Sequence, residues 1–130
     1  MKRVLFSTIL LFVGIIAVMA QGAAVITFDK TTHNFGSFPE SEPVVTCVFK
    51  FKNTGDRPLI IHQAIASCGC TVPTYTKSPV QPGESGVVSI KYDGTGKFPG
   101  HFMKSITLRT NCEDEMVRLR VKGNMVPTQK

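Results

Sequence analysis

Residues 44–53 read VVTCVFKFKN, and this stretch decides the fold class. Apolar side chains recur at every second position, with threonine, valine or lysine between them. Such alternation is typical of a β-strand that has one buried face and one solvated face. The side chains predicted to face the core are Val45, Cys47, Phe49 and Phe51.

The same alternation recurs in the segments GVVSIKY, HFMKSITLR and MVRLRVK. LIIHQAIA, at 59–66, is more uniformly apolar, which favours a central strand or one covered on both faces. VITF, at 25–28, is expected to start the sheet. The side chains on the predicted core faces of the three alternating segments are Val88, Ile90 and Tyr92, then Phe102, Ile106 and Leu108, then Val117, Leu119 and Val121.

Clusters of glycine and proline separate these segments, and after the first 20 residues no apolar pattern of helical period persists. Pro82-Gly83 predicts a turn, and residues 94–97, GTGK, predict a hairpin connection. We therefore predict an all-β, immunoglobulin-like β-sandwich of about seven strands, with an open barrel as the alternative. The tail at 123–130 has little to bury and is expected to fray.

Residues 1–20 have the layout of a secretory signal peptide. A lysine and an arginine precede an uncharged apolar run, and Val18 and Ala20 are small residues at the −3 and −1 positions of a cleavage site. This predicts a periplasmic or secreted protein in which residues 21–130 form one domain, with no stable membrane insertion after cleavage. An uncleaved membrane anchor is the alternative, because a run of roughly 17 apolar residues can span a bilayer.

The number and distribution of charged residues indicate which classes of partner the protein could bind. The predicted signal holds two of the 15 basic residues and none of the nine acidic ones, so cleavage lowers the net charge from +6 to +4. The remaining cations are scattered and belong to no nucleic-acid-binding motif, which argues against a nucleic-acid partner. Three of them alternate with the apolar positions of the last strand segment, where they form either a solvated face or an interaction face for an acidic partner. They are Arg118, Arg120 and Lys122.

Four short motifs occur in order: NTG at 53–55, ASCGCT at 66–71, PG at 82–83 and VKG at 121–123. In these motifs and their spacing, roughly residues 27–127 resemble the bacterial family called domain of unknown function 1573. The resemblance implies an exported, immunoglobulin-like domain similar to ASH and HYDIN-type domains, common in bacteria of the Bacteroidetes type. It implies no assigned activity. Cys47 and Cys112 depart from the family pattern.

The closely spaced pair Cys68 and Cys70 is expected at the sheet end from which strand 44–53 begins. Gly69 between them is expected to free the backbone for a sharp turn. Three uses of the pair remain open: a packed exit from the preceding strand, a disulfide that forms and breaks, or a copper or zinc site. The side chains that would complete such a metal site are His101, His62 and Met103.

The other two cysteines are predicted not to pair. Cys112 is expected near the far end of the sandwich, about 20 Å from Cys47 at about 3.3 Å per residue. A disulfide needs Cα atoms within about 7 Å of each other. Cys47 is therefore predicted to be a small buried apolar residue.

Enzymatic activity finds no support, because the chain has no hydrolase motif and no recognisable set of cofactor-binding, metal-binding or catalytic residues. The predicted function is an exported, non-enzymatic binding or scaffold module. It would contact another protein or a cell-envelope component through its sheet edges or polar strand faces. The alternative is a thiol-redox or copper- or zinc-handling protein centred on Cys68 and Cys70.

Overall fold

The computed structural model describes residues 22–128, and all the regular elements within that range are β-strands. The predicted signal peptide, 1–20, lies outside the described residues. Within 22–128, no helix is long and apolar enough to traverse a bilayer. The strands are β1 (Ile26–Phe28), β2 (Thr32–Pro39), β3 (Val44–Asn53), β4 (Ile61–Ala66), β5 (Thr71–Tyr75), β6 (Ser85–Asp93), β7 (Gly100–Thr110) and β8 (Met116–Val126).

The strands form two four-stranded sheets. The first sheet has the order β1-β3-β6-β5, and its neighbouring strands are all antiparallel. The second sheet has the order β2-β8-β7-β4, with β2 parallel to β8 and the other pairs antiparallel. This confirms the predicted all-β, immunoglobulin-like sandwich, with eight strands instead of about seven.

The core lies between the two sheets and is built from the alternating side chains that the sequence indicates. Burying an apolar side chain of this size stabilises the fold by about 1.5–3 kcal/mol. The predicted core faces of β3, β6, β7 and β8 are confirmed. The side chains with no exposed surface include Phe49, Val88 and Ile90 from the first sheet and Ile106, Leu108, Leu119 and Val121 from the second.

The sandwich has two distinct ends. The cysteine end carries the connections at 40–43, 67–70 and 94–99, and the Asn53 end carries those at 54–60, 76–84 and 111–115. The first described residues lie at the Asn53 end, where the Asp56 amide donates to the Ala23 carbonyl at 3.1 Å. The last ones lie at the cysteine end, where the Glu40 amide donates to the Val126 carbonyl at 2.8 Å.

Asn53 ties three segments together at its end of the sandwich. Its fully buried side chain donates from Nδ2 to the carbonyls of Arg57, at 2.7 Å, and Val80, at 2.9 Å. Its Oδ1 accepts from the amides of Val25, at 3.3 Å, and Gly55, at 3.0 Å. The NTG motif therefore does more than reverse the chain, because its first residue joins the amino-terminal segment to the loops after β3 and β5.

Two strands, β2 and β5, lie outside the segments predicted from the sequence. In β2 the backbone of Gly36 has a φ of +70°, and the register with β8 shifts between Asn34 and Ser37. This β-bulge interrupts the alternation that the prediction depends on. In β5, Pro73 has no N–H to donate, which is tolerated because β5 is an edge strand.

The prediction that 59–66 forms a central or doubly covered strand is wrong. Only Ile61–Ala66 forms β4, which is an edge strand paired with β7 alone. The apolar residues at the start of the segment are buried by a loop instead, since Leu59 exchanges backbone hydrogen bonds of 2.8 and 2.9 Å with Val80. Ile65 is exposed.

Of the two predicted turns, one is confirmed and one is assigned to the wrong connection. The turn at Pro82-Gly83 is present, with Gly83 at a φ of +83°. Residues 94–97 also form a turn, closed by the Lys97 amide donating to the Gly94 carbonyl at 3.0 Å. This turn is not a hairpin, because it leads from β6 in the first sheet to β7 in the second.

The tail prediction is wrong for residues 123–126, which continue β8. Met125 is only 2% exposed and belongs to a small apolar cluster with Phe38 and Tyr92 at the cysteine end. Pairing with β2 and β7 provides this segment with a buried position that the local sequence does not indicate.

Candidate interaction face and disulfide end

The predicted basic row lies on the solvent face of the second sheet. Arg118, Arg120 and Lys122 are exposed and alternate with the buried side chains of Leu119 and Val121. Because β8 lies between β2 and β7, the row runs down the middle of the sheet. Side chains on alternate residues of a strand are about 7 Å apart, so the row presents evenly spaced cations.

Small polar residues flank the row on the neighbouring strands. The register places Thr107 beside Arg118, and Ser105 and Thr32 on either side of Arg120. None of these side chains is long enough to cover the guanidinium groups. The two arginines are therefore open to a partner, and Lys122, between Asn34 and Met103, is exposed as well.

Opposite charges occupy different parts of the described chain. Eight of the 12 described basic residues lie in strands, whereas eight of the nine acidic residues lie outside them. The remaining acidic residue, Asp93, is the last residue of β6 in the first sheet. The described strands of the second sheet contain no acidic residue at all. Its strands therefore present cations and no anions to solvent, and the three acidic residues of the β7–β8 connection, at 113–115, lie at the Asn53 end.

A cleft of about 550 Å³ opens at one end of the basic row, beside the β2 bulge. The Gly36 amide donates to Oδ1 of Asn34 at 2.8 Å, so the amide nitrogen of Asn34 is the group available to a ligand. Among residues 22–128, no acidic side chain lines the cleft. Its polar and apolar lining includes Asn34, Ser37, His101, Met103, Lys122 and Asn124.

Sequence reasoning misses this cleft because it does not predict β2. The signal that would find it is the order His33, Phe35 and Gly36, in which an aromatic alternation is interrupted by glycine. A single glycine inside such a pattern indicates a bulge. The parallel pairing with β8, which supplies Lys122 and Asn124, has no local signal.

Cys68 and Cys70 form a disulfide in the turn between β4 and β5, with their Cα atoms 5.2 Å apart. This places the pair at the predicted end of the sandwich. Both residues are half-buried. The Cys70 carbonyl accepts from the Asp93 amide at 2.8 Å, and Cys70 packs against the cluster that contains Phe38 and Tyr92. Cys70 therefore packs against the core, while the turn that contains it is on the surface.

Gly69 does not have the backbone role that the sequence suggests. Its φ is not positive, and a Cβ added there would meet no atom within 4 Å. The turn is closed by the Thr71 amide donating to the Cys68 carbonyl at 3.1 Å. The backbone conformation therefore does not require glycine at this position.

The structure does not assemble the ligands that a metal site would need. His101 lies at the cysteine end but lines the cleft, and His62 lies near the start of β4 at the other end. Among the described residues, no three histidine, cysteine, aspartate or glutamate side chains come together in a metal-binding arrangement. In the disulfide, Cys68 and Cys70 also offer no thiolate ligands.

Cys47 and Cys112 are free thiols, as predicted, and both are buried. Cys47 points into the core from β3, and burial raises its pKa to about 11. Cys112 lies at the Asn53 end, as predicted, yet it is only 7% exposed and belongs to the main core. Neither thiol is positioned as an accessible nucleophile.

The model of a family described as a protein of unknown function, DUF1573, matches residues 26–125. The chain belongs to this family. The resemblance seen in the four sequence motifs is thereby confirmed. No curated protein sequence matches the chain.

Solved structures similar to this family member include a protein of unknown function from Porphyromonas gingivalis W83, with 18% identity and a TM-score of 0.72. The match covers 84% of this chain but 50% of that one, so this chain spans about half its length. The ASH / PapD-like domain of human CEP192 has 10% identity and a TM-score of 0.63, with 82% and 89% covered. The periplasmic chaperone SfaE has 16% identity and a TM-score of 0.52, with 81% and 59% covered. At these identities the likeness concerns the fold alone.

Proposed function

We propose that this protein is an exported, non-enzymatic binding module of the cell envelope that holds an acidic partner against the solvent face of its second sheet. The observation that carries the proposal is the separation of charge. Arg109, Arg118, Arg120 and Lys122 are exposed in that sheet, and its described strands contain no acidic residue. Cations gathered on one face attract and orient partners of opposite charge.

Binding through the face is favoured over binding through a sheet edge, because each edge strand carries a feature that opposes strand addition. β1 has only three residues, β2 contains the bulge, β4 has a register shift between Ile61 and Gln63, and β5 contains Pro73. Short, bulged or proline-containing edges are the usual protection against pairing with another chain. The row on β8 is the better candidate.

The envelope location rests on the signal-peptide layout of residues 1–20. One structure with a similar fold is described as a periplasmic chaperone, which agrees with this location for a sandwich of this kind. Amino-terminal sequencing of the protein recovered from the periplasm or the medium tests the export proposal. We expect the mature chain to begin at Gln21, and retention of Met1 in the membrane fraction would contradict cleavage.

Co-sedimentation with the envelope fraction tests the binding face. We compare the wild-type protein with the triple variant Arg118→Ser, Arg120→Ser, Lys122→Ser. A control variant removes the same amount of charge from the solvent face of the first sheet. The control substitutions are Lys50→Ser, Lys52→Ser and Lys91→Ser.

We expect the β8 variant to lose envelope binding and the control variant to retain it. Equal losses would show that binding depends on net charge alone. Unchanged binding by the β8 variant would contradict the proposed function. All six substituted side chains are exposed, so circular dichroism should show that both variants remain folded.

A thiol-redox role for Cys68 and Cys70 is the second candidate, favoured by their disulfide in a half-buried turn. Reduction by two glutathione molecules would break the S–S bond, add two electrons and two protons to this pair, and leave one glutathione disulfide. Mass spectrometry of the folded protein in glutathione buffers should then show a gain of two hydrogens confined to this pair. A pair that stays oxidised in strongly reducing buffer would exclude the role.

A further inference from the structure

We propose that the cleft beside the β2 bulge binds a carboxylate of an acidic peptide segment, which lies extended along the basic row of β8. The inference rests on the proposed function, since it specifies the partner's chemistry and where it docks. It assigns a binding role to Asn34 and Asn124, which line the cleft and lie outside the basic row.

The cleft offers hydrogen-bond donors and one fixed positive charge. Lys122 supplies an ammonium group, and the side-chain amides of Asn34 and Asn124 line the same space. The Asn34 carbonyl oxygen is already engaged by the Gly36 amide, which leaves its amide nitrogen as a donor. The described part of the chain adds no acidic residue to the lining, so this set matches an anionic acceptor.

The floor of the cleft is apolar and closely packed. A Cβ added to Gly123 would lie 3.0 Å from the Phe102 ring and 3.2 Å from Phe35, so the two aromatic side chains lie directly under the strand. The Phe102 ring is stacked on Tyr92 with centroids 3.9 Å apart. Charge-assisted hydrogen bonds are stronger beside such low-dielectric surroundings than in water.

The spacing of the row favours an extended peptide. Arg118, Arg120 and Lys122 repeat about every 7 Å, and alternate side chains of an extended peptide have the same repeat. Acidic residues at every second position would therefore meet successive cations, with the last carboxylate in the cleft. Met103, which is 59% exposed at the rim, offers an apolar contact for the residues between.

The test uses the processed protein labelled with ¹⁵N and a peptide of sequence Ser-Glu-Ser-Glu-Ser-Glu. Matched probes are the same peptide with glutamine for glutamate, polygalacturonate and inorganic phosphate. We expect saturable shifts of the amide signals of Gly36, Asn124 and His101 with the acidic peptide. The glutamine peptide should leave them unchanged.

Substitution separates the cleft from general charge. Lys122→Gln should weaken binding of the acidic peptide about tenfold, which is about 1.4 kcal/mol. Lys91→Gln, on the solvent face of the first sheet, removes the same charge and should change the affinity less than about twofold. Both residues are exposed, so neither change should disturb the fold.

Three results would overturn the inference: no saturation by about 1 mM peptide, equal weakening by the two variants, or binding of polygalacturonate or phosphate in preference to the peptide. These outcomes are distinct from a failure of the proposed function. If the β8 triple variant loses envelope binding while Lys122→Gln retains full peptide affinity, the basic row is supported as the binding face and the cleft is refuted as the carboxylate site. If the triple variant binds the envelope normally, the proposed function itself fails.

Discussion

Replacing Asn53 with alanine should destabilise the domain more than any exposed substitution. The change removes the amide that donates to the carbonyls of Arg57 and Val80 and accepts from the amides of Val25 and Gly55. The position is fully buried, so water cannot easily replace the lost partner. The four backbone groups belong to three separate segments, which the substitution would uncouple.

The expected loss in the free energy of unfolding follows from how deeply each of the four hydrogen bonds is buried. Leaving a buried polar group without a partner costs about 1–3 kcal/mol, and this applies to the Val80 carbonyl. The other three bonds are partly buried, so we assign each about 0.5–1.5 kcal/mol. The sum is about 2.5–7.5 kcal/mol, against a total stability of about 5–15 kcal/mol for a domain of this kind.

Urea unfolding followed by far-ultraviolet circular dichroism measures this loss, since the protein has no tryptophan. Asn111→Ala is the matched control. Asn111 also bridges two backbone groups, accepting from the Ile60 amide at 2.8 Å and donating to the Pro58 carbonyl at 3.0 Å, but its side chain is exposed. We expect the control to lose about 1 kcal/mol or less. Equal losses for the two variants would refute the assignment of Asn53 as a buried link.

Three further predictions concern the core. Gly86→Ala should destabilise the fold by about 1–3 kcal/mol, because the added Cβ would collide with the Phe51 ring. Gly69→Ala should change stability by less than about 0.5 kcal/mol in the same urea assay, because a Cβ there meets no atom within 4 Å. The thiol of Cys47, with its pKa raised to about 11 by burial, stabilises the fold fully below pH 9.0, and this contribution is lost as the pH rises toward 11. The difference in urea midpoint between wild type and Cys47→Ala, taken at about pH 8 and again at about pH 10.5, measures this contribution. A difference that is the same at both pH values would contradict the prediction. Met125→Ala should cost about 2–5 kcal/mol in thermal unfolding, whereas a frayed tail would lose nothing.

Strand alternation determined which side chains of this protein face the core, because that property depends only on residue parity. It placed Phe49 and Leu119 inside and Arg118 and Arg120 outside, as the structure has them. The same parity located the basic row. The end of the sandwich that carries Cys68 also followed from the order and direction of the strands.

The features that sequence reasoning missed depend on pairing between distant segments. The cleft exists because β2 runs parallel to β8, and nothing near Asn34 indicates that partner. Leu59 is buried by pairing with Val80 in a loop and not by a second neighbouring strand. Its apolar character therefore did not show that the segment is a central strand. Asn53 looks like an ordinary turn residue until the loops that it joins are in place.

The two ends of the described chain leave the sandwich at opposite poles, and this bears on how the protein can be handled. A purification tag or fluorescent protein fused after Thr128 would sit at the cysteine end beside the 40–43 connection, since the Thr128 hydroxyl accepts from the Ser41 amide at 2.9 Å. Such a fusion would crowd the cleft and mask binding. A label joined ahead of Gly22 would project from the far pole and leave the cationic face clear for surface immobilisation.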